Sequence, residues 1–144
     1  MKKTIKRFRN ERGLTLVELL AVIVILAIVA IIAFVFIGGI IENSKQDAHI
    51  ANAQQIISAA KIHEATGGKL GSKESTIEQL QQSNHLDQVL DPWDKEMYSS
   101  RDAYVTKETS GYVIHNFKDN NNNCNITRAT EQELANKGRE LCKQ

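Results

Sequence analysis

From Leu14 to Ile41 the chain is non-polar at every position but two. Glu18 is the only charged residue among these 28 and Thr15 the only other polar one. Leu19 to Ile41 alone is 23 residues, which at about 1.5 Å per residue makes a helix of roughly 35 Å. That exceeds a hydrocarbon core of about 30 Å, so the run predicts a membrane-spanning helix. A buried core helix is the alternative, but a 144-residue chain has too little other apolar material to coat such a rod on all sides.

After Ile41 the pattern changes without a helix-breaking signal. Glu42-Asn43-Ser44-Lys45-Gln46-Asp47-Ala48-His49 is polar and leads into Ile50, Ala53, Ile57 and Ala60 at helical spacing, with Ile56 and Ala59 widening the stripe. The glycines of Thr66-Gly67-Gly68 end it. A single helix from Leu14 to about Ala65 would hold 52 residues and extend roughly 78 Å. Its second half has a face to bury, and only the C-terminal part of the chain can cover it.

That remainder reads as short elements. Residues 67–75 are Gly-, Ser- and Lys-rich loop. Ser75-Thr76-Ile77-Glu78 fits a capping box, starting a helix to about Ser83 with Ile77 and Leu80 inward. Val89-Leu90-Asp91-Pro92-Trp93-Asp94 reads as a turn, with Trp93 a large apolar plug. Residues 103–106 and 112–117 have strand composition and form a hairpin through Lys107-Glu108-Thr109-Ser110-Gly111. The sheet is expected to pack across Ile50 to Ala60. Asp119 to Asn125, with four asparagines from Asn120, is polar loop. Thr130-Glu131-Gln132-Glu133 is a second capping box, opening a last helix in which Leu134, Gly138 and Leu141 share a face. The fold class is α+β, and no internal repeat is apparent.

Charge adds direction. Residues 1–13 carry Lys2, Lys3, Lys6, Arg7, Arg9 and Arg12 against Glu11, a net of +5, while residues 14–144 hold 12 basic and 16 acidic side chains, a net of −4. Basic flanks stay cytoplasmic, which places the C-terminal part outside. An acidic exterior excludes non-specific nucleic-acid binding, which needs Lys and Arg in excess. The only cysteines, Cys124 and Cys142, fall on that outer side, where oxidation is permitted, and are expected to pair; two free buried thiols are the alternative. A bridge closing residues 124–142 contributes about 3 kcal/mol in the chain-entropy account.

A secretory signal places its small-residue cut site after the apolar segment. Here the junction, Gly13, precedes it, so cutting there removes the charge and leaves the rod attached. Arg12-Gly13-Leu14-Thr15-Leu16-Val17-Glu18-Leu19-Leu20 resembles the prepilin-type signal of type IV pilins and pseudopilins, a match over about the first 30 residues. The resemblance implies a pilin-like fold, the long helix against a small antiparallel sheet with short helices. It divides the chain into a removed leader (1–13), a membrane and assembly half-helix (14–41), an amphipathic half-helix (42–66) and a small extracytoplasmic α+β region (67–144). It further implies cleavage between Gly13 and Leu14 by a prepilin peptidase and N-methylation of Leu14. Glu18, fifth after the cut, would meet the free amine of a neighbouring subunit. Leu14 stands where the family most often has Phe. Val35 stands where a Pro is common, so no proline kink is available there; Gly38-Gly39 is the remaining weak point. Physical chemistry also asks for a partner for Glu18, because a carboxylate inside the membrane costs up to about 3 kcal/mol and first-turn acids favour the helix dipole. Snorkelling to the interface is the alternative role.

Little catalytic chemistry is present. His49, His63, His85 and His115 are spaced by 14, 22 and 30 residues, matching no zinc pattern, and no nucleophile elbow, phosphate loop or redox cysteine pair occurs. His63 and Glu64 are expected on a solvated face. Asp-Pro-Trp followed by Tyr98 is similar to a loop of major pseudopilins, where relatives hold calcium; Asp91, Asp94, Asp102 and Glu96 are weak oxygen-ligand candidates, with scattered solvated acids the commoner case. No cofactor and no enzyme activity are expected. The chain reads as a structural subunit of a type IV pilus or related filament, anchored in the cell membrane and then carried to the surface. Its partners would be other copies or related pilins, the peptidase, an assembly platform with its ATPase, and lipid before assembly. A pseudopilin of type II secretion or competence DNA uptake is the alternative within the family; a non-polymerising single-pass binding protein is the alternative outside it.

Overall fold

The computed structural model describes residues 11–99 and 102–143, with side chains from Thr15 to Cys142 within those ranges. Residues 1–10 of the basic leader lie outside the described residues. The chain forms two compact units, one ending at Ile40 and the other beginning at Ile41. Helix α1, Glu11–Ala65, supplies all the described structure of the first unit and the opening element of the second.

In the first unit every described side chain from Thr15 to Ile40 is exposed. The helix continues through Gly38 and Gly39, where an added Cβ would meet nothing. The stretch is long and apolar enough to cross a membrane by length and composition.

The second unit is α+β. Helix α2 is Ile77–Gln82, strands β1 to β3 are Tyr104–Glu108, Gly111–Lys118 and Asn125–Thr130, and α3 is Glu131–Lys137, followed by a 3-10 segment, Gly138–Lys143. The strands form an antiparallel meander in the order β1-β2-β3. Ile50, Ala53, Ile56, Ile57, Ala59 and Ala60 of α1 share one core with Ile77, Leu80, Val105, Ile114, Phe117, Ile126, Ala129, Leu134 and Leu141. The sheet thus covers the helical stripe, as its periodicity requires. The stripe mixes Ile and Ala, and its Ile side chains supply much of the apolar area buried against the sheet.

Register explains a break in the alternation. Val105 pairs with Ile114, Ile114 with Ala129, and Phe117 with Ile126. Ile114 and Phe117 are three apart, yet both lie in the core, where strict alternation would send one outward. Asn116, between them, has φ of 53°. That left-handed residue, tolerated by Asn, turns the strand so that Phe117 faces the helix.

Several sequence expectations need correction. The first capping box is shifted by one residue: Thr76, not Ser75, is the N-cap, and Gln79, not Glu78, closes the reciprocal pair. Ser75 is buried and its hydroxyl donates to the Val105 carbonyl while accepting from the Gly71 amide. The Thr130 and Glu133 box is as expected. The last helix is not continuous, because Gly138, at φ 49°, ends α3 and starts the 3-10 segment. Leu134 and Leu141 are still buried. The hairpin loop is shorter than expected, Thr109-Ser110, with Gly111 at φ 111°. Strand β3 was not anticipated.

Candidate assembly helix and processing junction

Gly13 and Leu14 lie within the helical backbone of α1; their side-chain surroundings fall outside the described set. Glu18 is four residues beyond Leu14, one turn along the same face, and Ala21 and Val22 follow it on that face. Its carboxylate is exposed and has no ion-pair partner among the described residues. All around it the helix offers apolar side chains, including Leu16 at 68% and Leu19 at 67% exposure. An acid here is the single charge on a largely apolar surface suited to lipid or another helix.

In the second unit, the loop carrying the calcium candidates is tied by protein groups. Asp91 is fully buried; its carboxylate accepts from the Trp93 amide at 2.9 Å and the Asn120 amide at 2.7 Å. Asp94 accepts from the Glu96 amide and the Asn120 side-chain amide, both at 2.9 Å. Asp102 lines a separate shallow depression with Asn116, Lys118, Asn125 and Thr127. No group of three or more His, Cys, Asp or Glu among the described residues is arranged to hold a metal ion. Asp91 and Asp94 serve as acceptors that shape the turn.

Trp93 donates to Glu42 through its indole N–H at 3.1 Å, and it meets the His49 ring edge-on, centroids 5.7 Å apart. His49 stacks on Phe117 at 4.3 Å and its Nδ1 lies 2.9 Å from the Tyr98 hydroxyl. Asn52 donates to that hydroxyl and to the Leu90 carbonyl. Burial lowers the His49 pKa to about 4, against weaker raising effects of the Asp119 charge and the Phe117 backbone. Sequence reasoning missed this cluster: His49 ends a polar run, and nothing local marks it as a core residue. Its position one residue before Ile50 on the buried stripe was the available signal.

Cys124 and Cys142 are joined, with Cα atoms 4.3 Å apart, tying the loop before β3 to the 3-10 segment. Asp119 fixes that loop. Burial pushes its carboxyl pKa up, but bonds from the amides of Cys124, Asn123 and Asn121 outweigh this and hold it below the usual range. Glu64 is not merely solvated: it accepts from the Tyr112 hydroxyl and from Lys107 at 3.0 Å, and these bonds lower its pKa. His63 is half-buried and faces His85.

Residues 8–34 match the family model described as the prokaryotic N-terminal methylation motif. The chain carries a type IV prepilin-type signal. No curated protein and no solved structure matches it. The motif covers Gly13, Leu14 and the first part of the exposed apolar helix, and the chain beyond it has a pilin-like α+β fold. Glu18 and the Gly13–Leu14 junction lie inside the matched segment, whereas the disulfide and the Asp91–Tyr98 loop lie beyond it.

Proposed function

We propose that this chain is a structural subunit of a type IV pilus or related filament. It is inserted as a precursor with its basic leader in the cytoplasm and its C-terminal unit outside. Cleavage between Gly13 and Leu14 frees an α-amine, which is then methylated on Leu14. The rods leave lipid and pack on one another, gaining close helix contacts rather than hydrophobic transfer, since lipid is as apolar as the rods. Glu18 pairs with the Leu14 amine of a neighbouring copy and fixes the register, which offsets the cost of holding each charge away from water. Prepilin peptidase and a membrane assembly platform with its ATPase are the implied partners.

The observation that carries this reading is the methylation motif at residues 8–34, set on a helix whose apolar side chains are exposed all round. The mass of the purified protein is expected to lack residues 1–13, and retention of Met1 in a strain with active peptidase would overturn the precursor reading. Glu18→Ala is expected to abolish sheared surface fibres while leaving membrane insertion intact; normal fibres would remove the ion-pair mechanism. A pseudopilin of secretion or DNA uptake is the second reading, favoured by the Asp91-Pro92-Trp93 turn, whose indole donates to Glu42 of α1. Deleting genes for secretion or uptake machinery and finding the subunit's fibres unchanged would count against it.

A further inference from the structure

A groove of about 490 Å³ in the second unit is lined by Asn43 and Asp47 of α1 and by Asn136, Lys137, Arg139 and Glu140 at the end of α3 and the start of the 3-10 segment. Its level is fixed by the chain. Helix α1 continues unbroken out of the apolar run, and Asn43 and Asp47 stand two and six residues past Ile41, about 3 and 9 Å along the helix axis. Headgroups add about 5–7 Å to each side of a hydrocarbon core of about 30 Å. A bilayer crossed by residues 19–41 therefore brings its headgroups to the groove. Trp93, which donates its indole N–H to Glu42 at 3.1 Å, adds at that level the residue type favoured at a membrane surface.

The groove carries two charges of each sign, Lys137 and Arg139 against Asp47 and Glu140, and all four side chains are exposed. Its cations are only partly engaged. Arg139 approaches Asp47 through Nε at 3.4 Å, an exposed pair that is cheap to open, and its terminal nitrogens form a planar fork suited to phosphate oxygens. Lys137 gives one bond to Glu133 at 3.2 Å and has two further N–H donors. A groove of zero net charge matches a ligand that is itself zwitterionic, with a phosphate for the cations and an ammonium for the acids. A headgroup of negative charge alone would face the two acids unpaired, and a choline has no N–H to donate to them.

We propose that this groove seats the phosphoethanolamine headgroup of a phospholipid in the membrane that α1 crosses. Arg139 and Lys137 hold the phosphate, and Asp47 and Glu140 accept from the ammonium. The site rests on the membrane reading of α1 given above, and it ties the second unit to the bilayer surface before assembly.

Native mass spectrometry of the full-length protein, released from micelles holding equal amounts of phosphatidylethanolamine, phosphatidylcholine and phosphatidylglycerol, is expected to show phosphatidylethanolamine retained preferentially. Arg139→Ala combined with Lys137→Ala should weaken that retention at least about tenfold. Asp47→Asn combined with Glu140→Gln keeps the phosphate anchors and should bring the ethanolamine and choline lipids toward equal retention, a change that loss of folding would not produce. Equal retention of the three lipids by the wild type, or undiminished preference in the double cation variant, would overturn the site. So would binding of soluble glycerophosphoethanolamine or inorganic phosphate as tight as that of the lipid, since the ligand would then not come from the membrane. Flotation with phospholipid vesicles separates the two readings: failure to float overturns the membrane span and the site together, whereas flotation without headgroup preference overturns the site alone.

Discussion

Two stretches of one helix differ in where their apolar surface goes. Up to Ile40, α1 keeps Phe34 84% and Ile31 67% exposed, while between Ile50 and Ala60 the same helix buries Ile56, Ile57 and Ala60 completely. The first stretch is apolar on almost every face, a surface that suits lipid or another apolar helix. The second has one apolar stripe and a sheet that fits it. The lesson is that apolar content by itself does not define a core; the width of the apolar face decides whether the protein or its environment acts as the solvent.

That contrast can be broken most strongly by making the same substitution on both sides. Ile57→Ala is expected to destabilise the second unit by about 2–5 kcal/mol, through lost transfer energy and a cavity, whereas Ile32→Ala should leave its thermal transition in detergent unmoved. Equal shifts would mean that the two stretches fold as one body. A smaller effect is expected from the disulfide. Replacing Cys124 and Cys142 with Ser should cost about 3 kcal/mol, read as a lower midpoint in urea, again without change in membrane insertion.

The smallest effect sharpens the comparison through pH. His49 is held neutral by burial, with a pKa lowered from 6.5 to about 4. The unfolded chain therefore binds the extra proton first, and stability present above the unfolded pKa is lost as pH falls toward the folded one. The loss reaches about 2 kcal/mol by roughly pH 5. His115, also lowered by burial, acts in the same direction. The carboxylates of Glu133 and Asp119, whose pKa values are also depressed, add their losses at lower pH. His49→Phe should flatten the slope between these limits; an unchanged slope would show that another group carries it.

Long-range order and local order were legible to different degrees. The end of α1 at the glycines, the buried Ile77 and Leu80, and the Thr130 cap follow from near neighbours, and each was readable. The shift of the first cap from Ser75 to Thr76 was not, because Ser75 is claimed by the Val105 carbonyl of β1, 30 residues away. Strand β3 was hidden since Asn125 to Thr130 alternates weakly, with only Ile126 and Ala129 buried. Gly13, Leu14 and Glu18 stand close together in sequence, inside the segment at residues 8–34 that matches the methylation motif. The pairing of His63 with His85 was not legible, since it depends on the chain returning past the end of α1.

The sequence alone determined the apolar helix, the acid at its start, the run of basic residues before it and the place where its character changes, because composition and helical period are local properties. Only the tertiary structure decided which polar side chains are buried and with whom. His49 inside the aromatic cluster, Asp91 and Asp119 as buried acceptors, and the facing histidines all arise from contacts between distant segments. A polar group's role is set by the partner that replaces its water, and that partner is specified by the fold rather than by its neighbours in the chain.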